Sequence, residues 1–516
     1  MNLTQFLEHW KIAENPFRAE EARNDDVFAR LCAVSAEAVA GNRPSMLPGL
    51  VHSDFEKILG QLSRPSSAVV FGEKGSGKTA IRLQIEASID AHNRAHPEAR
   101  VLLVPYDDLN AKLDALVESS GKSPLEAFRS IRLVDHLDAI LSISVTRLTD
   151  AALRQGESPD LLGADAPKAF RKLDQSLKRD LLLLQAAYDA DERADQRTRK
   201  LVRLLRIPKP TSRRVLNLLA FTGWLLPAIV LTAYLTMGDK LGDMVWAWAF
   251  AAAMGLWGLV LLKRFGWDRL AVARSARRIS RQARLVDRDE ESLARSLAHL
   301  DPHDRRPSIL PMTDSDEPRY TMLARLRRVL KTQDYVGIIV VVDRVDEPTL
   351  ISGDPEKMRA VIWPMFNNKF MQQEGIGIKM LLPLDLRYAL FKESSAFFQE
   401  ARLDKQGLIE RLVWTGPMLY DLCTARLNAC RPADAERLSL LDLFGDDVTR
   451  QDLVDALDQM HQPRDAFKLV YRCLTEHCAN VSVEQNAFRV PRAVLDQIRR
   501  QEVERLQQLY RGIRPG

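Results

Sequence analysis

The sequence predicts an α/β fold in which a parallel β-sheet is interrupted by a long helical insertion and followed by a helical C-terminal region. Short apolar runs rich in β-branched residues are typical of strands buried on both faces. Such runs occur at 68–71, 101–106, 336–343, 377–382 and 411–414. Between the second and third runs lie two apolar stretches that are far too long for strands.

The composition is that of an ordinary folded protein, with 46% apolar and 28% charged residues in a chain of 516. This length accommodates two to four domains. The five cysteines lack the paired spacing of a zinc site, so we expect reduced thiols in a cytoplasmic body. The N-terminus lacks the basic start and apolar run of a secretion signal.

The basic residues are concentrated in two short stretches. Residues 193–214 carry a net charge of +8 and residues 263–284 carry +7, whereas the whole chain carries only +5. The rest of the chain is therefore acidic. Because a protein that follows a nucleic-acid backbone needs basic residues on its folded body, this distribution argues against nucleic acid as a partner.

A glycine-rich loop follows the first predicted strand. It matches the phosphate-binding pattern G-x-x-x-x-G-K-[ST] at every required position, through Gly72, Glu73, Lys74, Gly75, Ser76, Gly77, Lys78 and Thr79. Ile81, Ile85 and Ile89 then repeat every four residues, which predicts a helix leaving the loop. The alternative is a glycine-rich surface turn.

This pattern predicts a binding site for ATP and Mg²⁺. The backbone N–H groups of residues 72–80, Ala80 included, would surround the phosphates at a helix N-terminus. Lys78 would reach the outer phosphates, and the Thr79 hydroxyl would ligate Mg²⁺. We therefore expect the cofactor-binding residues to lie in this loop.

A second carboxylate is needed to hold the metal ion. The run 336–343 ends in Asp343, as a buried parallel strand with an acid at its carboxyl end would, so Asp343 is the predicted metal ligand. Asp346 and Glu347 follow, and either of them could orient the attacking water. The alternative is that these two acids merely begin the next loop.

The two long apolar runs predict a membrane hairpin. Residues 215–237 form 23 consecutive uncharged positions and residues 244–262 form 19. As helices they are roughly 34 and 28 Å long, close to the hydrocarbon thickness of about 30 Å. The polar residues 238–243 predict a turn between antiparallel helices. The alternative is a helical hairpin buried in a large soluble domain.

The flanking charges predict how the hairpin is oriented. Seventeen Lys and Arg residues lie in the two flanking stretches and one lies in the turn, so both termini are expected in the cytoplasm. We expect a two-span protein of the bacterial inner membrane, with lipid contacting 215–262. Ala247, Ala251 and Gly255 recur every fourth residue and predict a closely packed face, against the other span or another subunit.

A P-loop and an acidic strand separated by a transmembrane hairpin resemble the KAP family of P-loop NTPases, relatives of the AAA+ and STAND ATPases. The resemblance covers the order of parts over roughly residues 60 to 420. KAP proteins usually carry two adjacent acids where this chain has Asp343 and Arg344, and AAA+ proteins usually carry Asp-Glu there. The chain departs from both patterns at this position.

The resemblance also implies roles for two arginines. Arg464, in the run Gln462-Pro463-Arg464, is similar to the lid arginine of AAA+ proteins, although it also suits an ordinary helix start. Arg387 follows the strand 377–382, where such ATPases often place a phosphate-sensing residue. The alternative for Arg387 is an ordinary surface arginine.

These observations predict a P-loop NTPase sheet with an inserted stalk, a hairpin and a helical lid. The expected parts are an N-terminal helical segment (1–60), the first part of the ATPase core (61–165), a stalk helix (166–212), the hairpin (213–263), a second stalk helix (264–301), a linker (302–318), the second part of the core (319–420) and the lid (421–516). A simple solvated spacer is the alternative for the stalks.

Two functional hypotheses follow from the resemblance. The first is a membrane-anchored Mg²⁺-dependent ATPase that acts as a nucleotide-driven switch, in which Lys78, Asp343 and either Asp346 or Glu347 are catalytic. The second is a STAND-like sensor that holds nucleotide with slow or no turnover. The resemblance also implies a homo-oligomer, a protein partner that the sequence does not identify, and a role in signalling or in defence against phage. An ATP-driven transporter fits poorly, because two uncharged spans provide no evident substrate site.

Overall fold

The computed structural model describes residues 1–18, 21–40, 51–207, 211–237, 243–403, 407–432, 434–482 and 485–510. Contacts between residues divide the chain into two compact units. The sheet unit comprises residues 1–111, 123–129 and 334–516, and the helical unit comprises residues 112–122 and 130–333. The first part of the predicted core therefore ends near residue 111 rather than 165.

A five-stranded parallel sheet is the centre of the sheet unit, as the sequence predicts. Its strands are β1 (Ala68–Gly72), β2 (Arg100–Tyr106), β3 (Tyr335–Val342), β4 (Ile376–Pro383) and β5 (Gly407–Ile409), and their spatial order is β2-β3-β4-β1-β5. β1 and β4 are buried along their whole length because helices cover both faces of the sheet. In the register, Ala68 of β1 lies opposite Lys379 of β4 and Gly407 of β5.

The prediction of a last strand at 411–414 is wrong, since the edge strand is Gly407–Ile409. Leu412 N still donates to Phe71 O at 2.8 Å, so the chain follows β1 for one more bond. The next groups bind elsewhere: Val413 O accepts from His52 Nε2, and Trp414 Nε1 donates to Ser76 O. The segment therefore follows the glycine-rich loop instead of extending the sheet.

Helices are numbered along the whole chain. Those of the sheet unit are α1 (Leu3–His9), α2 (Asp26–Ala40), α3 (Phe55–Leu59), α4 (Lys78–Ala95), α6 (Pro124–Arg129), α17 (Pro355–Ile362), α18 (Asn368–Met371), α19 (Leu384–Leu390), α20 (Ser395–Ala401), α21 (Gly416–Ala429), α22 (Arg450–Asp458), α23 (Pro463–Asn480) and α24 (Arg492–Tyr510). The predicted helix after the loop is confirmed as α4, whose Ile81, Ile85 and Ile89 are buried. α5 (Asn110–Ser120) begins in the sheet unit and continues into the helical unit.

The N-terminal segment and the C-terminal helices share one hydrophobic core. Phe6 and Phe17 pack in the same cluster as Leu419, Leu474 and residues of α24. Leu495 and Ile498 of α24 are buried in this core. The segments 1–60 and 421–516, which the sequence treats separately, therefore form one body with the sheet.

The helical unit contains α7 (Leu133–Leu153), α8 (Ala166–Lys172), α9 (Gln175–Tyr188), α10 (Ala194–Leu205), α11 (Thr211–Thr222), α12 (Leu225–Met237), α13 (Asp243–Leu261), α14 (Asp268–Gln282), α15 (Glu290–Leu297) and α16 (Glu317–Lys331). A π-helical turn, Leu262–Trp267, joins α13 to α14. The single stalk helices predicted for 166–212 and 264–301 are wrong. Described residues of the first range form α8, α9, α10 and the start of α11, and the second range contains the end of the π-helical turn, α14 and α15.

The stalk prediction fails because many of the charged residues are paired inside the unit. Arg284, in the second predicted stalk, lies 2.6 Å from the buried Asp135. Arg197 contacts Asp150, Asp189 and Asp191 at 2.7 to 3.2 Å. Leu310 is also fully buried, so the predicted linker at 302–318 packs into the unit as well.

Two helices of this unit are long and apolar enough to cross a membrane, Val215–Thr236 and Met244–Gln282. Only 6% and 0% of their most apolar stretches are buried, so they do not form a buried core. Residues 238–242 of the predicted turn lie outside the described residues. A Cβ placed on Gly255 would meet no atom within 4 Å, so at that position the small-residue face does not contact the described part of the other span.

Candidate functional site

The carboxyl ends of the parallel strands form one edge of the sheet. At β1 and its neighbour β4, the connections that follow the two strands run in opposite directions along the sheet. From β1 the chain passes over β4 and β3 to reach β2, whereas the later strands follow in the opposite direction. Ligands of open parallel sheets bind at the carboxyl ends of the strands beside such a reversal. The loop at 72–79 begins at this point.

The glycines of this loop have conformations and neighbours that a side chain would not fit. Gly75 and Gly77 have φ angles of 94° and 95°, in the left-handed region. A Cβ on Gly72 would overlap the Ser76 hydroxyl, which itself donates to Glu73 O at 2.8 Å. α4 begins directly at Lys78, so the free N–H groups of its first turn, which includes Thr79 and Ala80, lie at the loop.

Lys78 points back into this loop. Its ammonium donates to Gly72 O and to Glu73 O, both at 2.9 Å. Burial lowers the pKa of Lys78, and the opposing charges that act most strongly on it are those of Asp346 and Asp343. The loop lysine and the acids that follow β3 are therefore close enough to interact electrostatically.

Asp343 has the properties expected of a metal ligand. It is 1% exposed, and its Oδ2 atom has no hydrogen-bond partner among the described residues. Burial raises the pKa of Asp343. The backbone N–H of Arg344 and the positive charges of Arg82 and Lys78 oppose this effect. An unpaired buried carboxylate oxygen is unfavourable on its own but suits a hard cation, so the donor set fits Mg²⁺.

An Mg²⁺ ion at this site would need only a few protein ligands. The described residues contain no group of three or more His, Cys, Asp or Glu side chains that could enclose a metal ion. Mg²⁺ is usually held by one or two protein oxygens together with substrate phosphates and water. Thr79, half-buried in the first turn of α4, and Asp343 are the two ligands that this arrangement would use.

Asp346 and Glu347 differ in their surroundings. Asp346 is half-buried and acts on Lys78 more strongly than any other charge. Glu347 is exposed, and its Oε2 lies 3.0 Å from Arg344 Nε. Burial raises the pKa of Glu347, and Arg344 opposes this effect. Of the two acids, Asp346 is the one that faces the loop lysine.

Contacts from the C-terminal half hold the loop in place. Both carboxylate oxygens of Glu73 are bound, one by Arg411 at 2.6 Å and one by Gln462 Nε2 at 2.5 Å. Gln462 is the N-cap residue of α23. The sequence analysis assigns these residues and Trp414 no contact with the loop, because they lie more than 330 positions from it.

The structure places the two candidate sensing arginines differently. A Cβ on Gly75 would lie 3.5 Å from Cβ and Cδ of Arg464, so Arg464 is beside the loop. Arg387 forms an ion pair with Glu410 at 2.7 Å and stacks on Phe391. It is not among the loop contacts described above. Asp385, on the same helix α19, does act on the Lys78 ammonium and was missed from the sequence.

A polar cavity of about 220 Å³ lies at the carboxyl ends of β2 and β3. Arg23, Asp107, Asn110, Arg344 and Glu347 are among the residues that line it. Within its wall, Asp107 binds Arg23 at 2.7 Å and also binds Arg82. In the strand order this cavity is on the side of β3 that faces away from β1.

Comparisons with known proteins do not assign the chain to a family: no protein-family model, curated protein or solved structure matches it.

Proposed function

We propose that this protein is a membrane-anchored, Mg²⁺-dependent ATPase that acts as a nucleotide-driven switch. In this proposal the loop at 72–79 is a P-loop, and the overall design is that of a KAP-like NTPase. The observation that carries the proposal is that Lys78, in the helix after β1, and Asp343 and Asp346, after β3, lie at the carboxyl edge of one parallel sheet, where the charges of the two acids act on the lysine. The insertion separates these residues by more than 250 positions along the chain.

The residues divide the work of hydrolysis between them. The amides of 72–80 bind the phosphates, and Lys78 leaves its contacts with Gly72 and Glu73 to neutralise the outer phosphates. Thr79 and Asp343 would hold Mg²⁺, which would supply further neutralising charge. Asp346 orients the attacking water. The water oxygen bonds to the terminal phosphorus, the bond to the bridging oxygen breaks, and the products are ADP, phosphate and a proton.

The membrane part of the proposal rests on the two long exposed helices. Their polar groups are largely satisfied within the hairpin: the hydroxyls of Thr222, Thr232 and Thr236 donate to carbonyls one turn earlier. Such internal pairing is what a helix in lipid requires. With basic residues on both flanks, we infer two spans in a bacterial inner membrane and cytoplasmic termini.

A STAND-like nucleotide sensor is the second candidate function. The observation that favours it is Arg344, which stands beside Asp343 and forms an ion pair with Glu347. A carboxylate bound in this way is not free to activate water, so turnover would be slow. Both candidates are compatible with a homo-oligomer that signals to a protein partner, for example in defence against phage.

Steady-state ATP turnover by the purified full chain separates these proposals. Lys78→Ala should lower turnover by about 100-fold or more, because it removes charge stabilisation at the phosphates. Lys122→Ala is the matched control, since Lys122 is an exposed lysine of the helical unit. Turnover near zero together with tightly bound nucleotide would favour the sensor. Turnover that does not change in Lys78→Ala would contradict the ATPase.

A further inference from the structure

Arg344 contacts three different parts of the site at once. It directly follows β3, and its φ of 60° is in the left-handed region, which is unusual for a residue with a side chain. Its N–H supports the carboxylate of Asp343. Its guanidinium binds Glu21 and lies 3.0 Å from Glu347, and it is only 20% exposed.

The two acids after β3 have different neighbours. Asp346 acts on Lys78, which belongs to the helix after β1, on one side of β3 in the strand order. Glu347 lines the polar cavity with Arg23 and Asp107, on the other side, towards β2. The strongest charges acting on Glu347 are those of Arg344 and Asp346, not that of Lys78.

We propose that Arg344 is a positioning residue that assigns the orientation of the attacking water to Asp346, by holding Glu347 in the cavity beside β2. This inference rests on the proposed ATPase function and makes it more specific. It explains how hydrolysis proceeds with an arginine at the position where related ATPases carry an acid. The arginine selects one of two nearby carboxylates and keeps the other away from the phosphates.

Repulsion between the acids makes such a device necessary. Asp343, Asp346 and Glu21 are each close enough to Glu347 to raise its pKa. Like charges disfavour each other. The guanidinium of Arg344 binds both Glu21 and Glu347, so it offsets the repulsion and fixes both carboxylates. Without that cation, Glu347 has no described partner that keeps it on the β2 side.

Double substitutions test this assignment in the full chain, reconstituted in lipid nanodiscs. In the wild-type background, Asp346→Asn should lower kcat by about 100-fold, while Glu347→Gln should change kcat by less than about twofold. In the Arg344→Ala background, Glu347 is released and can replace Asp346. There the loss caused by Asp346→Asn should shrink to about tenfold or less, and adding Glu347→Gln should restore the full loss.

Conservative substitution separates positioning from folding. Arg344→Lys keeps the charge and should keep the wild-type pattern, with its changes in kcat rather than KM. Hydrogen exchange provides a measurement that does not depend on turnover: Arg344→Ala should speed exchange at residues 21–25 and 347–349 but not at 72–80. The inference is contradicted if Glu347→Gln lowers kcat as strongly as Asp346→Asn in the wild type. It is also contradicted if exchange at residues 21–25 does not change.

ATP binding and the effect of Lys78→Ala on turnover show separately whether the proposed ATPase function holds. If the wild-type chain binds no ATP, or if its turnover is the same in Lys78→Ala, the ATPase proposal itself is wrong. If ATP binds and turnover depends on Lys78 but the two backgrounds behave alike, only the role of Arg344 is wrong.

Discussion

Gly75 shows how closely single residues determine the site. Its φ of 94° disfavours any side chain, and a Cβ there would lie 2.7 Å from Oε1 of Gln462, the residue that precedes α23. Gly75 therefore meets both a backbone and a packing requirement. The loop and the helix that carries Arg464 are in direct contact at this residue.

Gly75→Ala should weaken ATP binding by about tenfold, because the left-handed conformation costs an alanine roughly 1–2 kcal/mol. Equilibrium titration with a fluorescent ATP analogue measures this change. Gly121→Ala is the control: Gly121 has φ 61°, but a Cβ there would meet nothing within 4 Å. It should lower stability slightly and leave affinity unchanged. Equal effects of the two substitutions on affinity would contradict this account of the loop.

Lys379 predicts a pH dependence of stability. It is fully buried in β4 and donates to Leu59 O and Ser66 O, and burial lowers its pKa to about 7. Between about pH 7 and pH 10 the unfolded chain keeps a proton that the folded chain has released. Stability contributed by this residue should therefore rise with pH across that interval.

Lys379→Met should remove this rise, so that the Tm of the wild type gains on that of the variant between about pH 6.5 and pH 9. Thermal unfolding of the full chain in detergent measures the difference. Lys57→Met is a suitable control, since Lys57 also donates to a carbonyl, Leu408 O, but is exposed. Parallel Tm curves for wild type and Lys379→Met would contradict the prediction.

At the scale of residues, the sequence predicts what short motifs encode. The loop, Lys78 and Asp343 follow from local patterns, and the structure brings the lysine and the acid together. The contacts of Glu73 with Arg411 and Gln462 do not follow, because they depend on how distant segments pack. The pattern also leaves Asp346 and Glu347 equivalent, and only their different neighbours in the fold distinguish them.

At the scale of elements, the hairpin shows how a break in an apolar helix is accommodated. The first long helix is interrupted between α11 and α12, just before Pro227. Gly223 allows close approach there, because a Cβ would overlap the indole of Trp257. Trp257 Nε1 donates to Ala220 O at 3.2 Å, so a carbonyl near the break has a partner from the other helix.

Trp257→Phe should leave that carbonyl without its partner and destabilise the break by about 1 kcal/mol. Hydrogen exchange at residues 219–226 in lipid nanodiscs should then be about fivefold faster. Trp248→Phe is the control, because Trp248 is 71% exposed and makes no described hydrogen bond to the other helix. Identical exchange in both variants would show that the indole contact does not support the hairpin.

Elements with strong apolar patterns are also the ones that the sequence predicts well. Four of the five strands and both membrane-length helices are found where expected. The edge strand is misplaced because its ladder is only three residues long and the apolar residues after it bind the loop and His52. The stalks are mistaken because composition does not distinguish a charged helix in solvent from one with buried ion pairs such as Arg197–Asp189.

At the level of the full chain, the helical unit is inserted in the sequence of the sheet unit. β1 and β2 precede the helical unit, and β3, β4 and β5 follow it. β3 pairs with β2, which precedes the helical unit, and with β4, which follows it. The complete sheet therefore needs strands from both sides of the insertion. The site therefore depends on segments from both sides of the insertion, which sequence alone suggests only through the order of the motifs.

In the proposed site, the loop and Asp343 share one Mg²⁺ ion at the edge of this sheet. Titration of a fluorescent ATP analogue with and without Mg²⁺ tests whether they do. In the wild type, Mg²⁺ should raise affinity by about tenfold or more. Asp343→Asn should abolish this metal-dependent gain while its metal-free affinity stays equal or rises, and Lys122→Ala should behave as the wild type. A full Mg²⁺-dependent gain in Asp343→Asn would contradict the account.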